Sequence, residues 1–281
     1  MPVTTFHVAG PERGKPLIEF VAERLSISRK KAKQLLDARN VFVNRQRVWM
    51  ARHELGKGDI VEVHAPAEKK EAPPGLAILY RDADYVVIDK PPKLLSNGAN
   101  SAESRLREEM GVPALEAVHR LDRDTSGCLL LALHTKARDA VLPLFKERDL
   151  AKSYHALVYG PFPPDITRID APIDGHPAKT RVRVVARGKE ASHLELLIET
   201  GRTHQIRKHL AAQGHPVLGD KVYAIGDIES DALRGVERQL LHASELAFQQ
   251  PLTGAEIQAH SRIPDDFRKW AVRLNVMPRK G

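Results

Sequence analysis

The segment Ala65-Pro66-Ala67-Glu68-Lys69-Lys70-Glu71-Ala72-Pro73-Pro74 limits what the rest of the chain can build. It carries four charges and three prolines with no apolar periodicity, so it can join neither a helix face nor a sheet ladder and reads as a linker. A chain of 281 residues interrupted there folds as a small module followed by a large one. The predicted boundaries are 13–65 for the module, 66–75 for the linker and 76–275 for the large domain.

In the small module, Leu17, Phe20, Val21 and Leu25 have helical spacing and predict an amphipathic helix over 15–25. Ser28 suits the N-cap of a second helix running to about residue 38, with Ala32, Leu35 and Leu36 inward. Short β-rich pieces follow at 41–44, around 48 and at 59–63, with Gly56 and Gly58 marking a turn. Charge concentrates here: residues 13–65 hold 12 Lys or Arg and 6 Asp or Glu, so 12 − 6 = +6 of the chain's +8. Arg29, Lys30, Lys31 and Lys33 lie on or near the outer face of the second helix. A solvated surface accounts for a lone basic helix; so uneven a charge distribution favours a polyanionic partner.

After the linker, strand candidates at 78–80, 85–89, 128–133, 154–159, 181–186 and 193–199 outnumber helix candidates at 136–148 and 203–213. Strands following strands predict an α+β domain with a mixed, largely antiparallel sheet. The single cysteine, Cys128, excludes an intrachain disulfide, makes a thiolate metal site untenable and reads as a small buried hydrophobe. No run approaches the roughly 18 apolar residues of a membrane span, and residues 1–10 lack a basic flank followed by an apolar core. A soluble, cytoplasmic monomer is expected. His204, His209 and His215 are spaced by five and six, not as a helical i, i+4 pair, so no metal is expected. Gly201, Gly214 and Gly219 suit turns and lack the spacing of a phosphate loop.

The chemistry-bearing segment is His119-Arg120-Leu121-Asp122-Arg123-Asp124-Thr125-Ser126-Gly127, which runs straight into the apolar stretch 128–133. Such a loop holds polar side chains at the rim of a rigid sheet. An isolated Asp-x-Asp is usually a turn, but this match is longer and has company. The segment resembles the signature of the RluA-type pseudouridine synthases. Tyr85-Val86-Val87-Ile88-Asp89-Lys90-Pro91-Pro92 resembles the family's opening strand and turn, and Lys152-Ser153-Tyr154-His155-Ala156-Leu157-Val158-Tyr159-Gly160 its tyrosine motif. Thr200-Gly201-Arg202-Thr203-His204-Gln205-Ile206-Arg207 resembles its arginine motif, with Gly214-His215-Pro216 and Gly219-Asp220 beyond, and Leu240-Leu241-His242-Ala243 its closing strand. In the small module, residues 28–36, 41–44 and 57–61 resemble the S-four RNA-binding domain.

Making pseudouridine breaks the uracil N1–ribose bond, turns the base, joins C5 to the same ribose carbon and removes the C5 proton. The sum is an isomerisation that needs no redox change, energy donor or metal, so no cofactor is expected. A carboxylate serves either as nucleophile at the sugar carbon or as the base that starts elimination to a glycal. The resemblance gives that role to Asp122, with Arg207 keeping it charged, Tyr154 stacking on the base and Ile206 packing against it. It makes Arg120 the residue that fills the stack vacated by the flipped base, and leaves Arg123 and Arg202 for phosphate contacts or loop support. It further implies a central RNA-binding cleft in the large domain and RNA docking by Arg29, Lys30, Lys31 and Lys33. The implied substrate is structured RNA, foremost of the large ribosomal subunit, with transfer RNA second. Two other readings remain: a non-catalytic RNA-binding or ribosome-assembly protein of the same fold, and a metal-dependent nuclease. Asp89 and Lys93 depart from the family pattern, where Asn and Gly are common, and 161–177 has no recognisable signature.

Overall fold

The computed structural model describes residues 3–37, 39–64, 75–147, 149–224, 233 and 235–277. The chain divides into two compact units, Met1–Pro74 and Gly75–Gly281. The expected linker lies outside the described residues except for Gly75, as do residue 38 at the expected end of the second helix and residue 148 at the end of the predicted helix 136–148.

The first unit contains β1 (Val3–His7), α1 (Leu17–Arg24), α2 (Arg29–Asp37), β2 (Val41–Val43), β3 (Gln46–Arg47) and β4 (Ile60–His64). Leu17, Phe20 and Val21 of α1 are fully buried, as their spacing requires. Ser28 Oγ accepts the Lys31 N–H at 3.3 Å and so caps α2. Ala32 and Leu36 enter the core, while Leu35 is only half-buried. The helices pack on valines of a four-stranded antiparallel sheet ordered β1-β4-β2-β3. Strand β1 has no sequence forecast: its first three residues are exposed and Phe6 is half-buried, so no alternation marks it. Its place is set by pairing along its whole length with β4.

The second unit runs β5 (Ile78–Arg81), β6 (Tyr85–Lys90), α3 (Ala102–Met110), β7 (Glu116–Ala117), β8 (Ser126–Ala132), α4 (Thr135–Glu147), β9 (Leu150–Tyr159), β10 (Arg168–Ile169), β11 (Thr180–Arg187), β12 (Ala191–Ile198), α5 (Gln205–Ala212), β13 (Leu241–Gln249), β14 (Glu256–His260) and α6 (Asp265–Arg273). Its sheet is ordered β10-β11-β12-β9-β13-β8-β6-β5, with β14 added to β13 and β7 to β8. The pairings are antiparallel except between β13 and β8, which is parallel. Helix α3 escaped the sequence reading although Ser101 caps its start through the Ser104 N–H and Gly111 ends it at φ 64°.

Strand β8 explains its own composition. Leu129 and Leu131 face the cluster that contains Leu106 of α3 and Leu210 of α5; Cys128, Leu130 and Ala132 face the one with Ala137 and Val141 of α4. A strand covered on both faces has no polar side to show in sequence. Its first residues meet β13 in the short parallel contact, Ser126 opposite His242 and Gly127 opposite Ala243. Gly127 has φ 110°, and a Cβ built there would lie 2.1 Å from the Ala243 carbonyl oxygen. This close approach seats the preceding loop, with Asp122, over the end of β13. Gly127→Ala is expected to destabilise the protein by more than about 3 kcal/mol in denaturant unfolding; wild-type stability in that variant would refute the tight junction.

Candidate active site

The loop between β7 and β8 is held on both sides of Asp122. Ser96 Oγ accepts the Leu121 N–H at 2.9 Å and donates to the Leu121 carbonyl at 2.9 Å. The buried Lys90 ammonium spends its three protons on the carbonyls of Pro91, Leu94 and Arg123, at 2.9, 2.8 and 3.1 Å. Burial pushes Lys90 down to about 7, against the opposing pull of Asp124. Arg238 donates to the Asp124 carbonyl at 3.0 Å and Gln239 to Thr125 Oγ1 at 2.6 Å. Within the loop the Thr125 N–H returns to the Asp122 carbonyl at 3.0 Å. The aspartate therefore does sit in a turn, as an isolated Asp-x-Asp should, but the turn is closed by its backbone and not by its side chain.

That side chain meets Arg207 of α5. Arg207 Nη1 donates to Asp122 Oδ2 at 2.9 Å. Its Nε and Nη2 form a two-pronged pair with Asp220, at 2.6 and 2.8 Å. Burial opposes the charge of Arg207, but Asp220 and then Asp122 hold it above the ordinary guanidinium range. Burial likewise opposes the charge of Asp220. Arg207 and the backbone N–H groups of Val222 and Tyr223 overcome it and keep the carboxyl below the usual carboxylate range. The Tyr223 ring lies under the guanidinium, 5.0 Å from ring centre to Cζ. His204, at φ 56° before α5, brings Nε2 to 3.6 Å from Asp122 Oδ1 and shares a 2.9 Å hydrogen bond with the Tyr223 hydroxyl.

A cavity of about 470 Å³ opens over Asp122, which keeps 20% of its side chain exposed. Of the residues singled out from sequence, Asp122, Tyr154, Arg207, Arg120, Ile206 and Arg202 line this one space. Arg123 does not: its side chain is exposed and outside the lining, and the residue serves through the carbonyl that Lys90 holds. Tyr154 is buried, and burial followed by the nearby Asp122 charge keeps its phenol protonated above the ordinary range. Lys152 also lines the cavity, its ammonium 5.2 Å from the Phe145 ring centre and pushed by burial down to about 8. Arg29 of the other unit pairs with Glu19 at 2.6 Å, while Lys30, Lys31 and Lys33 are exposed on α2.

Asp220, Tyr223, His204 and Lys90 are contributions that the sequence reading missed. Asp220, Lys90 and His204 did stand inside the motifs that carry the resemblance, but without these roles. Lys93 adopts φ 65°, which explains why glycine suits its position, and Asp89 accepts a hydrogen bond from Ser261 Oγ at 2.8 Å. The histidines weighed as ligands have other partners: His209 joins Thr180 Oγ1 and the Ala171 carbonyl, and His215 the Tyr159 carbonyl. Among the described residues no group of three His, Cys, Asp or Glu side chains is arranged to hold a metal.

A family model described as RNA pseudouridylate synthase matches residues 84–212. Ribosomal large subunit pseudouridine synthase D of Vibrio cholerae is 31% identical over 303 residues, covering 95% of this chain and 93% of that protein. The chain belongs to the RluA-type RNA pseudouridine synthases. The enzyme of the same name from Xanthomonas campestris is 34% identical over 286 residues, covering 89% of this synthase and 84% of that one. A solved structure of human RNA pseudouridylate synthase domain containing 4 aligns with a TM-score of 0.61 at 25% identity, over 72% of this chain and 95% of that chain. The synthase is thus an isomerase with a mixed α+β fold, as the motifs implied.

His119 opens the segment that carries Asp122, and its ring is engaged as a hydrogen-bond acceptor. Its Nε2 accepts the Leu130 N–H at 3.0 Å and so must stay unprotonated. Burial, followed by the Lys152 charge, pushes its imidazole down to about 3. An unfolded imidazole takes up its proton near 6.5, so the stabilisation is complete above about pH 6.5 and is lost progressively as pH falls toward the folded value. NMR of the His119 imidazole should show the neutral form persisting at pH 5, and His119→Gln should flatten the fall in stability on acidification. Protonation near pH 6.5 in the folded protein would refute the assignment.

Proposed function

We propose that this synthase isomerises uridine in ribosomal RNA of the large subunit, with Asp122 as the residue that opens the N1–ribose bond. The observation that carries the chemistry is an ionisable carboxylate at a cavity wall, hydrogen-bonded by a guanidinium that a second, fully buried carboxylate orients. Arg207 gives Asp122 a charge-assisted hydrogen bond at 2.9 Å that orients its carboxyl group. The base enters the cavity flat against Tyr154 with Ile206 beside it, N1 parts from C1′, C5 bonds to C1′, and the C5 proton leaves as N1 gains one. Arg120 fills the stack that the flipped base vacates, and Arg202 takes a flanking phosphate. Arg123, outside the cavity, is left to the RNA backbone.

The large-subunit assignment is supported by the names of the relatives that match nearly the whole chain. Residues 76–275 form the catalytic domain on this reading, and 13–65 an S-four-like domain that docks structured RNA through Arg29, Lys30, Lys31 and Lys33, joined by 66–75. The exposed lysines of α2 support that docking role; Arg29, paired with Glu19, supports it least.

Large-subunit RNA carrying tritium at uridine C5 should release it with the wild type, and release should cease in Asp122→Ala while RNA binding persists. Turnover by Asp122→Ala would remove it from the chemistry. Mapping pseudouridines in a strain lacking this chain tests the target: sites lost from transfer RNA instead would move the substrate. Neutralising Arg29, Lys30 and Lys31 together should weaken RNA binding and reduce its salt dependence; unchanged affinity across salt concentrations would contradict docking by α2.

A further inference from the structure

The first unit carries a second surface suited to nucleic acid, away from the lysines of α2 in sequence and different in kind. Trp49 and Met50 are 53% and 59% exposed, among the most exposed large apolar side chains of the described residues. Their backbone is nonetheless fixed on both sides. The Val48 N–H reaches the Val41 carbonyl at 3.0 Å, and the Ala51 and His53 carbonyls accept from Ile18 and Leu17 at 3.2 and 2.8 Å. The indole is therefore presented by an anchored segment and not by a loose tip. Arg39 lies over one face of the Trp49 ring at 5.2 Å, and close by in sequence Arg47 lies over Phe42 at 5.1 Å.

Residues 39–52 contain Arg39, Arg45, Arg47 and Arg52 and no acidic residue. Arg45, Arg47 and Arg52 are exposed, and among the described residues none of the four forms an ion pair, in contrast to Arg29. An apolar protein partner would leave these guanidiniums without counter-charge, whereas a phosphate backbone supplies it. An exposed tryptophan face flanked by arginines that form no ion pairs suits an unpaired nucleotide strand, since every base offers a ring to stack on.

We infer that Trp49 is a stacking platform for an unpaired RNA base, with Arg39 backing the indole and Arg45, Arg47 and Arg52 tracking the adjoining phosphates. This deepens the reading of the first unit as an RNA-docking module and rests on it. It adds a preference for single-stranded RNA that a basic helix alone does not produce.

Trp49 and Trp270 are the two tryptophans of the chain, so the full chain with Trp270→Phe reports on Trp49 alone. A short oligouridine should quench Trp49 emission, and a fully paired RNA duplex should not. Trp49→Ala should weaken oligouridine binding about tenfold with an unchanged thermal melt and unchanged salt dependence, and Trp49→Phe should recover most of the loss. Emission that ignores RNA would assign this face to a protein contact and overturn the inference; so would equal quenching by the duplex, or full affinity in Trp49→Ala. The α2 reading fails separately: if neutralising Arg29, Lys30 and Lys31 changes nothing while Trp49→Ala loses affinity, docking runs through Trp49 and not through α2.

Discussion

One buried guanidinium holds two carboxylates, and the site depends on it. Arg207 uses Nε and Nη2 on Asp220 and turns Nη1 to Asp122. A lysine could not do this, because a point charge has no fork to fix one partner while presenting a donor to the other. Asp220 has no exposed side chain, so its charge is tolerable only because Arg207 and two backbone N–H groups receive it. Of the two carboxylates, Asp122 is the one that lines the cavity. The three residues come from the β7–β8 loop, from α5 and from the turn after it. Packing α5 onto the sheet therefore completes the charge balance, and removing Arg207 would strand two carboxylates rather than one.

The clamps on the loop serve the same geometry. Ser96, Lys90, Arg238 and Gln239 reach it from segments distant in sequence and fix main-chain or side-chain atoms between Leu121 and Thr125. An aspartate whose partner sits at 2.9 Å tolerates little drift of its backbone. Four independent anchors confine that drift more than loop-internal bonds could, because each is tied to β6, its following turn or the segment entering β13.

This division of labour decides what could be read from the chain. Helices α1 and α2 and strand β8 announce themselves because their burial is periodic or complete. Asp122, Arg207, Tyr154 and Arg120 were legible through motif resemblance, since nothing local separates Asp122 from an ordinary turn aspartate. Asp220 and Lys90 sat in the motifs that carry the resemblance, yet their roles lie in contacts across the fold: Arg207 is 13 residues away from Asp220, and Arg123 is 33 away from Lys90. His204 was weighed as a metal ligand from spacing alone; its left-handed backbone, which turns the ring toward Asp122, has no sequence signal. Trp49 carried none either, because an exposed tryptophan and a buried one look alike until packing is known.

The charged side chains that line the cavity differ in exposure. Arg120 and Arg202 at its lining are exposed, Lys152 is half-buried, and the carboxylate of Asp122 lies with the Arg207–Asp220 pair behind it. On the proposed function, an RNA backbone would gain affinity at the exposed Arg120 and Arg202 by releasing counterions. On the same proposal the uracil packs against Tyr154 and Ile206, which both line the cavity. The proposed pose leaves the phosphates with the exposed cations and brings the base to these two side chains. On the proposed chemistry that pose aims the glycosidic bond at Asp122, since the ribose must span from the exposed cations to the packed ring. Positioning then comes from the placement of charge as much as from the shape of the pocket.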